Sequence, residues 1–150
     1  MPRLLVVHHT ASPALHSLYV AAMAGAADPS IEGVEVVARP ALAATVPDVL
    51  EADGYLLGTP ANIGYMSGAL KHFFDQIYYP CLEATVGRPY ALYIHGNTDT
   101  AGATRAVETI AGALRWRRVQ RPVIVLGTPS RDDLEGCREL GAAVAAGLML

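Results

Sequence analysis

Short apolar runs recur along the chain at Leu4–Val7, Val34–Ala38, Tyr55–Gly58, Ala91–His95 and Pro122–Gly127, each bounded by glycine, proline or polar residues. Near-continuous apolarity over so few residues marks strands covered on both faces. Between the runs the spacing becomes helical. Leu15, Leu18, Tyr19, Ala22 and Ala26 fall on one face of a helix, as do Met66, Ala69, Leu70, Phe73 and Ile77. Ala103, Ala106, Val107, Ile110 and Leu114 repeat the pattern, and Leu134, Cys137, Gly141, Val144 and Leu148 close the chain with it. Ser12-Pro13 reads as an N-cap followed by proline in the first turn, and Ser130 with Asp133 has the spacing of a capping box. Pro47 to Ala52 supplies barely two turns of helix before Asp53-Gly54 returns the chain to a strand.

Strict alternation of strand and helix predicts a parallel sheet with helices on both faces, an α/β/α sandwich formed by residues 1–150 as one domain. Right-handed crossovers and five strands give a doubly wound sheet in the order 2-1-3-4-5. Such a sheet binds its ligand outside the carboxyl ends of the strands, where strand order reverses between the first and third. The loops that matter are therefore His8–Ser12, Thr59–Met66 and Gly96–Thr100.

Composition narrows the picture. A chain of 150 residues, 52% hydrophobic and 17% charged, suits one packed domain rather than a disordered segment. The net charge of −3 comes with no basic stripe, so neither nucleic acid nor an anionic membrane is an expected partner. Cys81 and Cys137 lie far apart without CxxC spacing, which predicts core thiols in a reducing compartment and no metal site. Leu4–Val7 is too short for a signal-peptide core, and the uncharged stretch Leu140–Leu150 falls well short of the roughly 20 residues that span a bilayer. A cytoplasmic protein is the expectation.

The first loop, His8-His9-Thr10-Ala11-Ser12-Pro13, brings two hydroxyls and several backbone N–H groups to the start of a helix, a natural anion site. No Lys or Arg occurs from Leu4 to Ala38, so a phosphate there must be held by dipoles and hydroxyls, with His9 and His16 near enough in sequence to assist. Ser12 alone reads equally as a plain helix cap. No Walker A loop and no GxGxxG is present, which excludes a P-loop nucleotidase and a dinucleotide Rossmann domain. A phospho-receiver domain is excluded too, because His8-His9 and Gly58-Thr59 stand where it requires acids.

The second loop and the helix after it read Gly58-Thr59-Pro60-Ala61-Asn62-Ile63-Gly64-Tyr65-Met66-Ser67-Gly68-Ala69-Leu70-Lys71, continuing to Asp75. This segment resembles the flavin-ring loop of the flavodoxin-like superfamily, especially the NADPH-dependent FMN reductases and the flavodoxin-like NAD(P)H:quinone oxidoreductases. The resemblance implies a flavodoxin-like fold and an FMN ring lying against Pro60, Ala61, Asn62, Ile63, Gly64 and Tyr65. Physics supplies a reason for Gly64, which can take positive φ and bring backbone close to a flat ring. Met66 heads the helical stripe and reads as core, whereas Tyr65 falls off it and reads as ligand-facing.

The third loop, His95-Gly96-Asn97-Thr98-Asp99-Thr100, is similar in placement to the second flavin loop of these families, whose backbone meets the pyrimidine edge. The resemblance thus implies His9, Thr10 and Ser12 at the phosphate and His95, Gly96 and Asn97 at the ring, with no catalytic side chain required because the cofactor carries the chemistry. Leu15 stands where many flavodoxins have a third phosphate hydroxyl, and neither flavin loop has a tryptophan. NAD(P)H and a small-molecule electron acceptor are the implied partners, and a homodimer the implied assembly, with Tyr78, Tyr79 and Trp116 available either to an interface or to the core. An electron-carrying flavodoxin and a flavodoxin-fold protein without cofactor are the alternatives. The modest charge favours the enzyme over the carrier.

Overall fold

The computed structural model describes residues 1–149; Leu150, at the end of the apolar C-terminal stretch and of the expected domain, lies outside the described residues. Among the described residues seven strands occur in chain order: β1 (Arg3–His8), β2 (Glu35–Pro40), β3 (Gly54–Asn62), β4 (Tyr65–Met66), β5 (Pro89–Gly96), β6 (Arg117–Arg118) and β7 (Val123–Leu126). Across the sheet the parallel order is β2-β1-β3-β5, followed by an edge position shared by β6 and β7. These are the five parallel positions of the expected 2-1-3-4-5 order. The edge strand is split because Pro122, just before β7, has no N–H for the ladder, although the Val119 N–H still donates to the Tyr90 carbonyl at 3.1 Å.

Alternation along the central strands sends side chains into two cores. Leu4, Val6, Leu56, Ala91 and Tyr93 pack under α1 (Pro13–Ala26) and α5 (Arg131–Ala146). Leu5, Val7, Tyr55, Leu57, Leu92 and Ile94 pack against α2 (Val46–Glu51), α3 (Gly68–Cys81) and α4 (Ala101–Ala113). Helices α1 and α5 approach through glycine: a Cβ on Gly25 would lie 1.9 Å from the Arg138 carbonyl oxygen, and one on Gly141 2.0 Å from that of Ala22. Both cysteines are buried and unpaired. Trp116 belongs to the core, stacked on Tyr55 at 4.1 Å and donating its indole N–H to Thr85 Oγ1 at 2.8 Å, whereas Tyr79 is exposed.

The short α2 persists because both ends are satisfied. Thr45 and Asp48 form a reciprocal capping box, and the Arg88 guanidinium donates to the carbonyls of Val49, Leu50 and Ala52 at 3.1, 2.9 and 2.6 Å. Burial pushes the Tyr55 hydroxyl, which donates to the same Val49 carbonyl, up to about 12 against the opposing pull of Arg88.

Candidate functional site

Beyond β1 the chain is tied down and then left with free donors. The His9 N–H donates to the Gly58 carbonyl at 3.0 Å, and the His8 carbonyl accepts from the Ala41 N–H at 2.8 Å. The N–H groups of Thr10, Ala11, Ser12 and Ala14 then find no acceptor among the described residues. Ser12 is the N-cap of α1, its Oγ accepting from the Leu15 N–H at 3.2 Å, which leaves its own O–H free to donate. No acid occupies the first turn of α1 to neutralise the helix dipole. His9 Nδ1 is buried without a hydrogen-bond partner among the described residues. A cavity of about 240 Å³ opens between this loop, Pro40–Leu42 and Ala69. Orphaned amides on a turn leading into a helix form a cradle for a terminal phosphate, so the residues present fit that end of FMN.

After β3 the structure departs from the sequence expectation. The strand expected to end at Gly58 continues to Asn62, and the chain returns as β4, with Asn62 opposite Tyr65 and Ala61 opposite Met66. The segment Thr59–Met66 is a β-hairpin rather than a loop. Its two-residue turn has φ of 49° at Ile63 and 73° at Gly64, the type I′ pattern whose twist suits a hairpin. Gly64 takes the positive φ expected of it, while Ile63 holds a strained β-branched residue in the left-handed region. Ile63 is fully exposed and Tyr65 is 41% exposed, whereas Met66 is buried. A buried threonine braces the hairpin base: Thr59 Oγ1 accepts from the Ser67 N–H at 3.1 Å and donates to the Pro60 carbonyl at 2.8 Å. Ser67 in turn caps α3.

The loop after β5 lies directly beside the hairpin. A Cβ on Gly96 would sit 3.2 Å from that of Ala61, and one on Gly102 would sit 1.9 Å from the Gly64 carbonyl oxygen. Asn97, Thr98 and Asp99 are exposed, and their N–H groups find no acceptor among the described residues. His95 faces the other way. It is 8% exposed, and its Nε2 lies 2.7 Å from the Gly127 carbonyl. A carbonyl only accepts, so this nitrogen carries the proton. With Asn97, Pro13, Ala14 and Ser17 it lines a separate cavity of about 390 Å³ on the α1 and α5 side.

The structure therefore gathers Pro60–Tyr65 with Gly96 into one ledge and places Thr10 and Ser12 on the free-amide turn. The His95 side chain stands apart, holding the ends of β5 and β7 together. Sequence reasoning missed Thr59, Ser67 and Gly102, which shape the ledge without offering a ligand group. The ledge presents flat backbone flanked by exposed Ile63 and Tyr65, which suits a planar ring. Among the described residues no group of three or more His, Cys, Asp or Glu is placed to hold a metal, and no helix is long and apolar enough to cross a membrane.

Comparison with known proteins bears on the fold and the family. A flavodoxin from Aquifex aeolicus (strain VF5) is 46% identical over 48 residues, which is 32% of this chain and 26% of that protein; the match spans about a quarter of that relative's length. A flavodoxin from the domain Archaea superposes with a TM-score of 0.84 at 16% identity, covering 99% of both chains. The flavodoxin, WrbA-like protein from Agrobacterium tumefaciens superposes with a TM-score of 0.78 at 21% identity, covering 97% of this chain and 96% of that one. The family model for NADPH-dependent FMN reductase matches residues 9–129, from the free-amide turn to the start of α5. The chain belongs to the NADPH-dependent FMN reductase family and is an FMN-binding flavoprotein of flavodoxin-like fold.

Proposed function

We propose that the protein is an NAD(P)H-dependent oxidoreductase that passes electrons through FMN to a small quinone, flavin or similar acceptor. The observation that carries this reading is the free-amide turn at Thr10–Ala14 beside an exposed type I′ hairpin at Asn62–Tyr65. In this reading the N–H groups of Thr10, Ala11, Ser12 and Ala14, the hydroxyls of Thr10 and Ser12, and His9 hold the phosphate. Pro60, Ala61, Asn62, Ile63, Gly64 and Tyr65 form the bed for the ring, and the backbone at Gly96 and Asn97, with the free Asn97 N–H, meets its pyrimidine edge. His95 keeps that edge in place through Gly127. FMN, when bound, supplies the hydride and electron chemistry. The chain supplies binding, orientation and an open approach on the side of Ile63 and Tyr65.

An electron-carrying flavodoxin is the second reading, favoured by the flavodoxin match over 48 residues. The net charge of −3 supports the enzyme, because a carrier steered to protein partners needs a stronger field. Exposed Tyr79 is available to a homodimer interface, and the two unpaired buried thiols suit a cytoplasmic location. Mixing the FMN-loaded protein with NADH or NADPH without oxygen decides the main question. Bleaching of the flavin absorbance, restored by a quinone, is the expected result; reduction only by another protein would install the carrier reading instead.

A further inference from the structure

We infer that His8 is a positioning residue for the phosphate site: it donates Nδ1–H to Thr10 Oγ1 and so turns the Thr10 hydroxyl proton toward the phosphate of FMN. The inference rests on the placement of that phosphate at the turn after β1.

His8 closes β1, and its ring lies against Tyr19 of α1, with centroids 4.2 Å apart and planes 31° from parallel. Its Nδ1 is 2.8 Å from Thr10 Oγ1. One proton lies between these atoms, and it can belong to either. If Thr10 donates it, the hydroxyl presents only lone pairs to an anion. If His8 donates it, the Thr10 O–H is free to donate outward, and imidazole, hydroxyl and phosphate form a chain in which each bond polarises the next.

The surroundings favour the second arrangement. No Lys or Arg occurs between Leu4 and Ala38, so nothing but dipoles and hydroxyls offsets the phosphate charge on this segment. Thr10 and Ser12 bring the hydroxyls of this turn, and Ser12 Oγ already serves as the cap of α1, so the Thr10 proton matters more. Burial, with the neighbouring His9 adding to it, holds the His8 imidazolium below its ordinary range, so a neutral ring must use its single proton at Nδ1 to serve this role. The contact with Tyr19 fixes the ring plane, and the hydrogen bond to Thr10 Oγ1 selects the ring flip that puts Nδ1 on that side.

The test compares FMN with riboflavin, which lacks the phosphate, in titrations followed by flavin fluorescence. An asparagine amide reaches the position of Nδ1, whereas a glutamine amide reaches that of Nε2. His8→Gln and His8→Leu should therefore weaken FMN by about tenfold, the value of a hydrogen bond to a charged group, while His8→Asn stays within about threefold of wild type. Riboflavin affinity should be unchanged in all three. Adding His8→Leu to Thr10→Val should cost nothing more, and the ¹⁵N spectrum of His8 should show Nδ1 protonated once FMN binds. Equal affinities for His8→Asn and His8→Gln, full additivity with Thr10→Val, a parallel loss of riboflavin, or a bare Nδ1 in the complex would each overturn the inference. The Asn and Gln pair carries the test where His8→Leu does not fold. If Ser12→Asp abolishes FMN binding while the His8 variants bind normally, the phosphate placement stands and only the role of His8 falls. If Ser12→Asp binds FMN normally, the placement itself fails.

Discussion

A Cβ on Gly102 would stand 1.9 Å from the carbonyl oxygen of Gly64. The first turn of α4 therefore touches the hairpin tip through bare backbone, and the height of the ledge depends on a helical glycine. Propensity alone says that alanine in a helix gains up to about 1 kcal/mol over glycine. Here the gain is opposed, because the hairpin must move to admit a methyl group. Gly102→Ala should leave the apoprotein Tm within a few degrees of wild type yet weaken FMN by about tenfold, roughly 1.4 kcal/mol. Unchanged FMN affinity would show that the ledge is not where the ring lies.

Ile63 offers the opposite trade. Its φ of 49° places a β-branched residue in the left-handed region, where an L-residue costs roughly 1–2 kcal/mol. Asparagine tolerates that region and, followed by Gly64, completes the preferred type I′ pair. Ile63→Asn should stabilise the apoprotein by about 1 kcal/mol in urea unfolding. Because the side chain is fully exposed, no core contact is lost. FMN affinity should fall severalfold if the isoleucine covers the ring. A tighter complex would assign the residue to strain alone.

Beneath the site, the Tyr93 ring crosses Gly58: a Cβ there would meet Cζ at 2.1 Å and the hydroxyl at 2.3 Å. That hydroxyl is buried with no hydrogen-bond partner among the described residues. Gly58→Ala should destabilise the fold by roughly 2 kcal/mol or more through overpacking. Tyr93→Phe should raise stability by about 1 kcal/mol by deleting an unsatisfied group. The two should not cancel, since the ring carbon remains in place. Chemical denaturation of the three variants checks both signs.

The parts legible in the sequence were those carried by periodicity. Val6, Leu56 and Leu92 lie in apolar runs and stand in central strands, and Leu18, Phe73 and Val107 fall on helical stripes and are buried. Caps at Ser12 and Ser130 were legible because their chemistry is local. The hairpin was not, because Ile63 occupies the turn position where asparagine would announce it. Gly25 and Gly102 were silent for another reason: their importance lies in carbonyls of Arg138 and Gly64, which no local pattern connects to them. The His8–Thr10 contact, though only two residues long, needed the ring orientation set by Tyr19 on α1.

Ser12 allows its structural and functional roles to be separated by one substitution. As N-cap of α1 it accepts from the Leu15 N–H at 3.2 Å, and the first turn carries no acid. Aspartate caps a helix as well as serine does, and its charge complements the positive end of the dipole. The apoprotein of Ser12→Asp should therefore melt at or slightly above the wild-type temperature. A phosphate on the Thr10–Ala14 amides would face the new carboxylate across a short gap. Two unit charges about 4 Å apart repel by roughly 4 kcal/mol at an effective dielectric near 20, more for a dianion and less in salt. Half of that exceeds a tenfold loss of affinity. FMN binding should thus collapse and recover partly as ionic strength rises, while riboflavin binds as before. Ser12→Asn, an equally good cap without charge, should retain most FMN affinity, so a loss confined to the aspartate variant assigns the effect to charge. An aspartate variant that binds FMN as tightly as wild type in low salt would place the phosphate away from this helix.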